Sequence, residues 1–148
     1  MCVQCIGMCS YVDCRNLPVI SRLSREHSAI LTASGDLCRA VKAGEPSTAL
    51  FDDLLAMLRS HGSYEERCLF EELRGDDTFV GTVEDLCSEH SEIYGTLRGL
   101  RRAGATPQTL TPALDRLGKH ILKEEQGLFP PVVILLSSGG LERAAERA

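Results

Sequence analysis

His61-Gly62-Ser63-Tyr64-Glu65-Glu66-Arg67-Cys68-Leu69-Phe70 and His120-Ile121-Leu122-Lys123-Glu124-Glu125-Gln126-Gly127-Leu128-Phe129 share one pattern, His-x-x-x-Glu-Glu-x-x-Leu-Phe. On an α-helix a residue four positions on is turned by only about 40° and raised about 6 Å, so His61/Glu65 and His120/Glu124 each project side by side. Glu66 and Glu125, five positions on, point roughly 140° away and are expected to flank such a face. The reading favours Glu65 and Glu124 as the inward carboxylates and leaves Glu125 as a further candidate beside Glu124. Two copies of one helical pattern imply a repeated unit.

The rest of that unit lies upstream of each copy. Glu26-His27-Ser28-Ala29-Ile30-Leu31 matches Glu89-His90-Ser91-Glu92-Ile93-Tyr94. Around these anchors, apolar residues recur at three- and four-residue spacing, and alternating runs rich in Val, Ile and Thr are nearly absent, so the chain is predicted to be all-α. A first helix follows Asn16-Leu17-Pro18 and stops near Gly44-Glu45-Pro46; a second runs from about Ser47 to Gly75-Asp76-Asp77. Thr82 with Asp85 resembles a capping pair for a third helix that ends near Gly104. Thr106-Pro107 and Thr111-Pro112 are equally good starts for the fourth, and Pro130-Pro131 is expected to bend or end it. Short connections between helices of about 20 residues force neighbours antiparallel, which gives an up-down-up-down four-helix bundle built from two helical hairpins about a pseudo-twofold axis. The expected organisation is an N-terminal arm over 1–16, a bundle over 17–140 and a tail over 141–148.

Composition narrows the function. The chain has 148 residues, 43% hydrophobic, with sixteen Lys and Arg against twenty-one Asp and Glu, a net charge of −5. An acidic balance without a long basic block argues against nucleic acid as a partner. The longest apolar run, Pro130 to Leu136, is far short of the roughly 20 residues that span a bilayer. Met1-Cys2-Val3-Gln4-Cys5 lacks a cationic, apolar signal, and seven cysteines are too sparse for a disulfide scaffold, so a reducing, cytoplasmic setting is expected, with the chain monomeric or weakly dimeric.

The four histidines of the chain fall one per predicted helix, each on the apolar stripe. A single histidine there is ordinarily a core residue satisfied by hydrogen bonds. Four of them with two glutamates are different, because burying six such groups unpartnered would overwhelm a domain stability of about 5–15 kcal/mol. Two divalent cations bridged by the carboxylates and held terminally by the imidazoles satisfy all six, and the mixed N/O set suits iron, manganese or zinc. The Glu-x-x-His signature of di-iron carboxylate bundles is absent, since Leu58, Cys87 and Leu117 stand three before His61, His90 and His120.

The series His27, His61-x-x-x-Glu65, His90, His120-x-x-x-Glu124-Glu125, closing in Leu128-Phe129-Pro130, resembles the hemerythrin-like (HHE) cation-binding domain over about residues 17–136. The resemblance implies an oxo- or hydroxo-bridged centre of two iron ions, one held by His27 and His61 and the other by His90 and His120, with Glu65 and Glu124 bridging. It also implies a small ligand: members carry or sense dioxygen, sense or store iron, or handle hydrogen peroxide or nitric oxide. Oxygen-carrying hemerythrins have a second histidine one turn after the first on the third helix, and here that position is Tyr94. Tyr94 is read either as a phenolate ligand or donor beside the iron of His90 and His120, or as a core aromatic next to an open coordination site. An oxygen ligand favours ferric over ferrous iron, so peroxide or nitric oxide chemistry, or redox sensing, is expected ahead of transport. The alternatives are an iron- or redox-sensing regulatory module without turnover, and a helical interaction module without metal. Cys2, Cys5, Cys9 and Cys14 match no standard zinc or iron–sulfur spacing, and Cys38, Cys68 and Cys87 read as small core residues.

Overall fold

A computed structural model of the chain describes residues 18–135, and among these every regular element is helical. Helix α1 is Pro18–Ala43. Helix α2, Thr48–Glu65, continues through a π-helical turn, Glu66–Phe70, into a last turn, Glu71–Leu73. Helix α3 is Val80–Ala103. Helix α4, Pro107–Lys123, likewise continues through a π-helical turn, Glu124–Leu128, into Phe129–Leu135. The N-terminal arm with Cys2, Cys5, Cys9 and Cys14, and the tail over 141–148, lie outside the described residues.

Local chemistry explains most of the punctuation. Gly44 takes φ 70°, with its N–H on Val41 O (3.2 Å) and that of Glu45 on Ala40 O (2.9 Å), the paired bonds that satisfy the last carbonyls of α1. Gly104, φ 85°, closes α3 with a single bond to Leu100 O, 3.0 Å. Of the two starts open for α4, the chain uses Thr106-Pro107: the Thr106 hydroxyl accepts from Thr109 N–H, while the Thr109 hydroxyl accepts from Thr106 N–H. Thr82 and Asp85 do not cap α3, which begins two residues before Thr82, at Val80. Phe79 is buried there, and Asp76 closes the turn by accepting from Thr78, Phe79 and Val80 N–H groups. Pro130-Pro131 does not end the fourth helix. It follows the π-helical turn, whose last bond runs from Phe129 N–H five residues back to Glu124 O.

Helices adjacent in sequence pack together, and α1 packs on α4, which closes the ring of an antiparallel bundle. The apolar interior is divided in two. One cluster includes Leu23, Cys68, Phe70, Leu73, Leu86 and Leu128, and the other Ile30, Leu37, Leu54, Leu97, Leu110 and Leu117. Fully burying one such side chain contributes about 1.5–3 kcal/mol. Between the clusters lies a polar layer: on α1, His27 stands between Leu23 and Ile30. Neither helix of the first hairpin, nor either of the second, is long and apolar enough to cross a membrane.

Candidate metal centre

Each helix of the bundle delivers one imidazole to that layer, and two carboxylates join them: Glu65, the last residue of the α segment of α2, and Glu124, the first residue of the π-helical turn that follows α4. His27, His61 and His120 are buried, Glu65 and Glu124 have no exposed surface, and the His90 side chain is 14% exposed, the most open of the six. The histidines pair by hairpin, with ring centroids 4.6 Å apart for His27/His61 and 4.8 Å for His90/His120. Phe129 stacks on His27 and Phe70 on His90, at 5.7 and 5.8 Å between centroids. These two phenylalanines, Phe70 closing the first π-helical turn and Phe129 just after the second, fix the ring planes.

The outward nitrogen of every imidazole meets a carboxylate. His27 Nδ1 lies 2.6 Å from Glu125, His61 Nδ1 2.9 Å from Glu26, His90 Nδ1 2.9 Å from Glu66 and His120 Nδ1 2.7 Å from Glu89. An ionised carboxylate only accepts, so each Nδ1 carries the hydrogen and donates, which leaves the Nε2 lone pair of the neutral ring facing inward. Three of the outer carboxylates are themselves anchored: Glu26 accepts from Arg22 (2.8 Å), Glu89 from Lys123, and Glu125 from the Ser24 hydroxyl (3.1 Å). Although burial pulls the Glu26 and Glu89 carboxyls upward, hydrogen bonds from Arg22 and Lys123, together with His61 and His120, hold both below the usual range. They are therefore acceptors at neutral pH.

Inside the ring of imidazoles every atom is an acceptor. The four Nε2 atoms and all four oxygens of Glu65 and Glu124 are buried without a hydrogen-bond partner. They nevertheless lie close together: Glu124 is 2.9 Å from His27 Nε2, 2.9 Å from His120 Nε2 and 3.5 Å from His90 Nε2, and Glu65 is 3.2 Å from His90 Nε2. His27, His61, Glu65 and Glu124 form one group with all ligand atoms within 4.8 Å of one another, and His90, His120 and Glu124 form a second. Eight buried acceptors facing one another without a donor are incompatible with a stable core unless cations enter. The donor set fits divalent metal, with Glu124 common to both groups.

Without metal, protons must serve instead. Burial opposes charge on His27, His90 and His120, but a proton on Nε2 would let each ring donate to Glu124, and this outweighs burial; His90, also facing Glu65, is pushed up to about 11. His61 goes the other way, to about 4, through burial and the neighbouring His27 charge. Burial and the Glu124 charge raise Glu65 to about 7, whereas Glu124 is held well below the ordinary carboxylate range by His120, His27 and His90 despite its burial. Of the two inner carboxylates, Glu124 bears the charge.

The structure thus brings together His27, His61, Glu65, His90, His120 and Glu124. Glu125 and Tyr94 stand around this cluster. Glu125 is on His27 Nδ1, and the Tyr94 hydroxyl accepts from the Arg59 guanidinium while its ring faces a cavity. That cavity, about 30 Å³, is walled by His61, His90 and His120 together with Ile30, Leu58, Ile93, Tyr94, Leu117 and Ile121. Sequence reasoning did not assign Glu26 and Glu89 a role, although both precede a histidine in the repeated Glu-His-Ser, and that shared tripeptide was the available signal.

Comparison with curated proteins and comparison with solved structures each found no match. The family described as Hemerythrin HHE cation binding domain matches over residues 19–132, which spans both hairpins and all six inward side chains. The chain belongs to that family of cation-binding domains.

Proposed function

We propose that this protein holds two iron ions in the polar layer, bound by His27, His61, Glu65, His90, His120 and Glu124, and that it binds or reacts with a small oxidant. Hydrogen peroxide, dioxygen and nitric oxide are the ligands that fit this reading. The observation that carries it is the set of eight buried, unpartnered acceptor atoms in two overlapping groups. When bound, iron supplies Lewis-acid and one-electron redox chemistry. Glu124, shared between the groups, balances the charge, and the four outer glutamates hold each imidazole in the tautomer that presents Nε2 inward.

The group with fewer protein ligands, His90, His120 and Glu124, shares its two histidines with the wall of the cavity. About 10–15 Å³ on the same measure admits one water-sized probe, so this space suits a ligand of about two heavy atoms. Its remaining walls are aliphatic apart from His61 and Tyr94, which keeps bulk water away from the site. In this reading Tyr94 bounds the cavity and Glu125 orients His27. The free, partly or fully buried Cys38, Cys68 and Cys87 fit a reducing, cytoplasmic setting.

Elemental analysis of the protein, as purified and after anaerobic ferrous reconstitution, tests the metal reading. About two irons per chain, with visible bands that change on peroxide addition and a measurable rate of peroxide or nitric oxide loss, is the expected result. Iron that shifts stability without any turnover would favour the sensing module, and no bound metal after reconstitution would overturn the reading.

A further inference from the structure

Outside the metal layer, the surface between α2 and α3 carries a groove of about 420 Å³ lined by Arg59, Arg98, Arg101 and Arg102, with Asp52 and Tyr94. Four guanidiniums face one carboxylate there, in a chain whose net charge is −5. Asp52 is committed to Arg101 by two bonds, Nε to Oδ1 at 2.9 Å and Nη2 to Oδ2 at 3.2 Å. Arg59 donates to the Tyr94 hydroxyl, a neutral partner, and its guanidinium lies 5.5 Å from the centre of that ring. Arg98 and Arg102 make no hydrogen bond or ion pair among the described residues.

Arg101 and Arg102 have a local reason to be where they are, since cations in a last helical turn complement the exposed carbonyls. Arg98 lies outside the last turn of α3, and Arg59 belongs to the middle of α2, so helix-end chemistry accounts for neither. Arg98 and Arg102 are also a like-charged pair at i,i+4, which disfavours the helix they stand on. A multiply charged anion would relieve that repulsion and satisfy planar donors suited to bidentate contact with phosphate or carboxylate.

We propose that the groove is a binding site for a small molecule bearing two or more phosphate or carboxylate groups. Its volume is in the range of about 300–1,000 Å³ typical of small-molecule sites. Tyr94 is common to the groove and to the cavity beside His61, His90 and His120, so the ligand sits one side chain from the metal layer and shares Arg59 with Tyr94. The inference is independent of which metal that layer holds.

Isothermal titration of the full chain with pyrophosphate and with citrate, at fixed ionic strength, tests it. Saturable binding of at least one is expected; which binds more tightly identifies the group recognised. Arg98→Gln with Arg102→Gln, both on exposed positions of α3, is expected to weaken binding by about tenfold or more, with a melting temperature equal to or slightly above that of the wild type. Arg39→Gln, on the far helix α1, is expected to bind like the wild type. Absence of saturable binding by either anion, or equal binding by the double variant, would overturn the proposal.

Discussion

The two inner glutamates are equivalent by repeat but unequal by charge, and Gln substitution separates the two roles. Glu124 lies 2.9 Å from His27 Nε2, 2.9 Å from His120 Nε2 and 3.5 Å from His90 Nε2, so in the metal-free protein it is the anion that offsets the protonated imidazoles. Glu124→Gln keeps the volume and removes the charge. Breaking a buried ion pair by deleting one partner costs about 3–5 kcal/mol, and at about 3 °C per kcal/mol for a chain of this size the melting point should fall by about 10–15 °C. Glu65, raised to about 7, carries a proton below neutrality, and glutamine imitates that form. At about pH 6 Glu65→Gln should therefore cost under about 1 kcal/mol. Metal binding distinguishes them differently: Glu124 belongs to both ligand groups and Glu65 to one, so Glu124→Gln should lose both ions and Glu65→Gln the ion of His27 and His61. The assay is a circular-dichroism melt of chelator-treated protein beside elemental analysis of reconstituted protein. If metal-free Glu65→Gln melts as low as Glu124→Gln, the assignment of the charge to Glu124 is wrong. If Glu124→Gln keeps its full metal content, the bridging role is wrong.

Four further outcomes follow from the same layer. His90, raised to about 11 from an ordinary 6.5, contributes stability that is complete below the ordinary value and lost as pH rises through the folded one, so metal-free protein should melt progressively lower from about pH 7 to 11. Metal displaces those protons, so the loaded protein should instead lose metal on acidification and release protons on loading, seen by titrating metal into weakly buffered protein with a pH indicator. Tyr94→Phe should leave the visible spectrum of iron-loaded protein unchanged, because the hydroxyl is bound to Arg59; a broad visible band that vanishes on substitution would make Tyr94 a phenolate ligand. Replacing His27, His61, His90 and His120 by Leu, and Glu65 and Glu124 by Met, should leave the metal-free stability level or higher, by up to about 4 kcal/mol, and abolish any response to ferrous iron; severe destabilisation would count against the view that these six groups cost stability.

The bundle and its six inward side chains were readable because periodicity, repeat and residue chemistry agree at the same positions. His61 and Glu65 share a face by helical geometry alone, and the second copy at His120 and Glu124 makes coincidence an inadequate explanation. What escaped depends on contacts between helices. The π-helical turns replace four-residue by five-residue bonds at Glu66–Phe70 and Glu124–Leu128, and the gain is tertiary: Phe70 is buried at the end of the first and Leu73 beyond it, and Phe129 and Val132 are buried after the second. The start of α3 was displaced for the same reason, since burial of Phe79 outranked the local pairing of Thr82 with Asp85. Arg59 and Tyr94 stand 35 positions apart, and no local pattern joins them.

The outer carboxylates cross between the hairpins in one direction and stay within them in the other. His61 leans on Glu26 and His120 on Glu89, each inside its own hairpin, but His27 depends on Glu125 and His90 on Glu66, each from the opposite one. Each half of the chain consequently owns two imidazoles and one inner carboxylate, yet cannot orient all of them by itself. Severed in the 74–79 connection, the protein becomes a pair of fragments whose reunion is strengthened by any cation that binds only the completed layer, so free ion concentration should shift how much of the heterodimer exists. The linker between the hairpins then serves chiefly to raise the local concentration of two halves that complete each other.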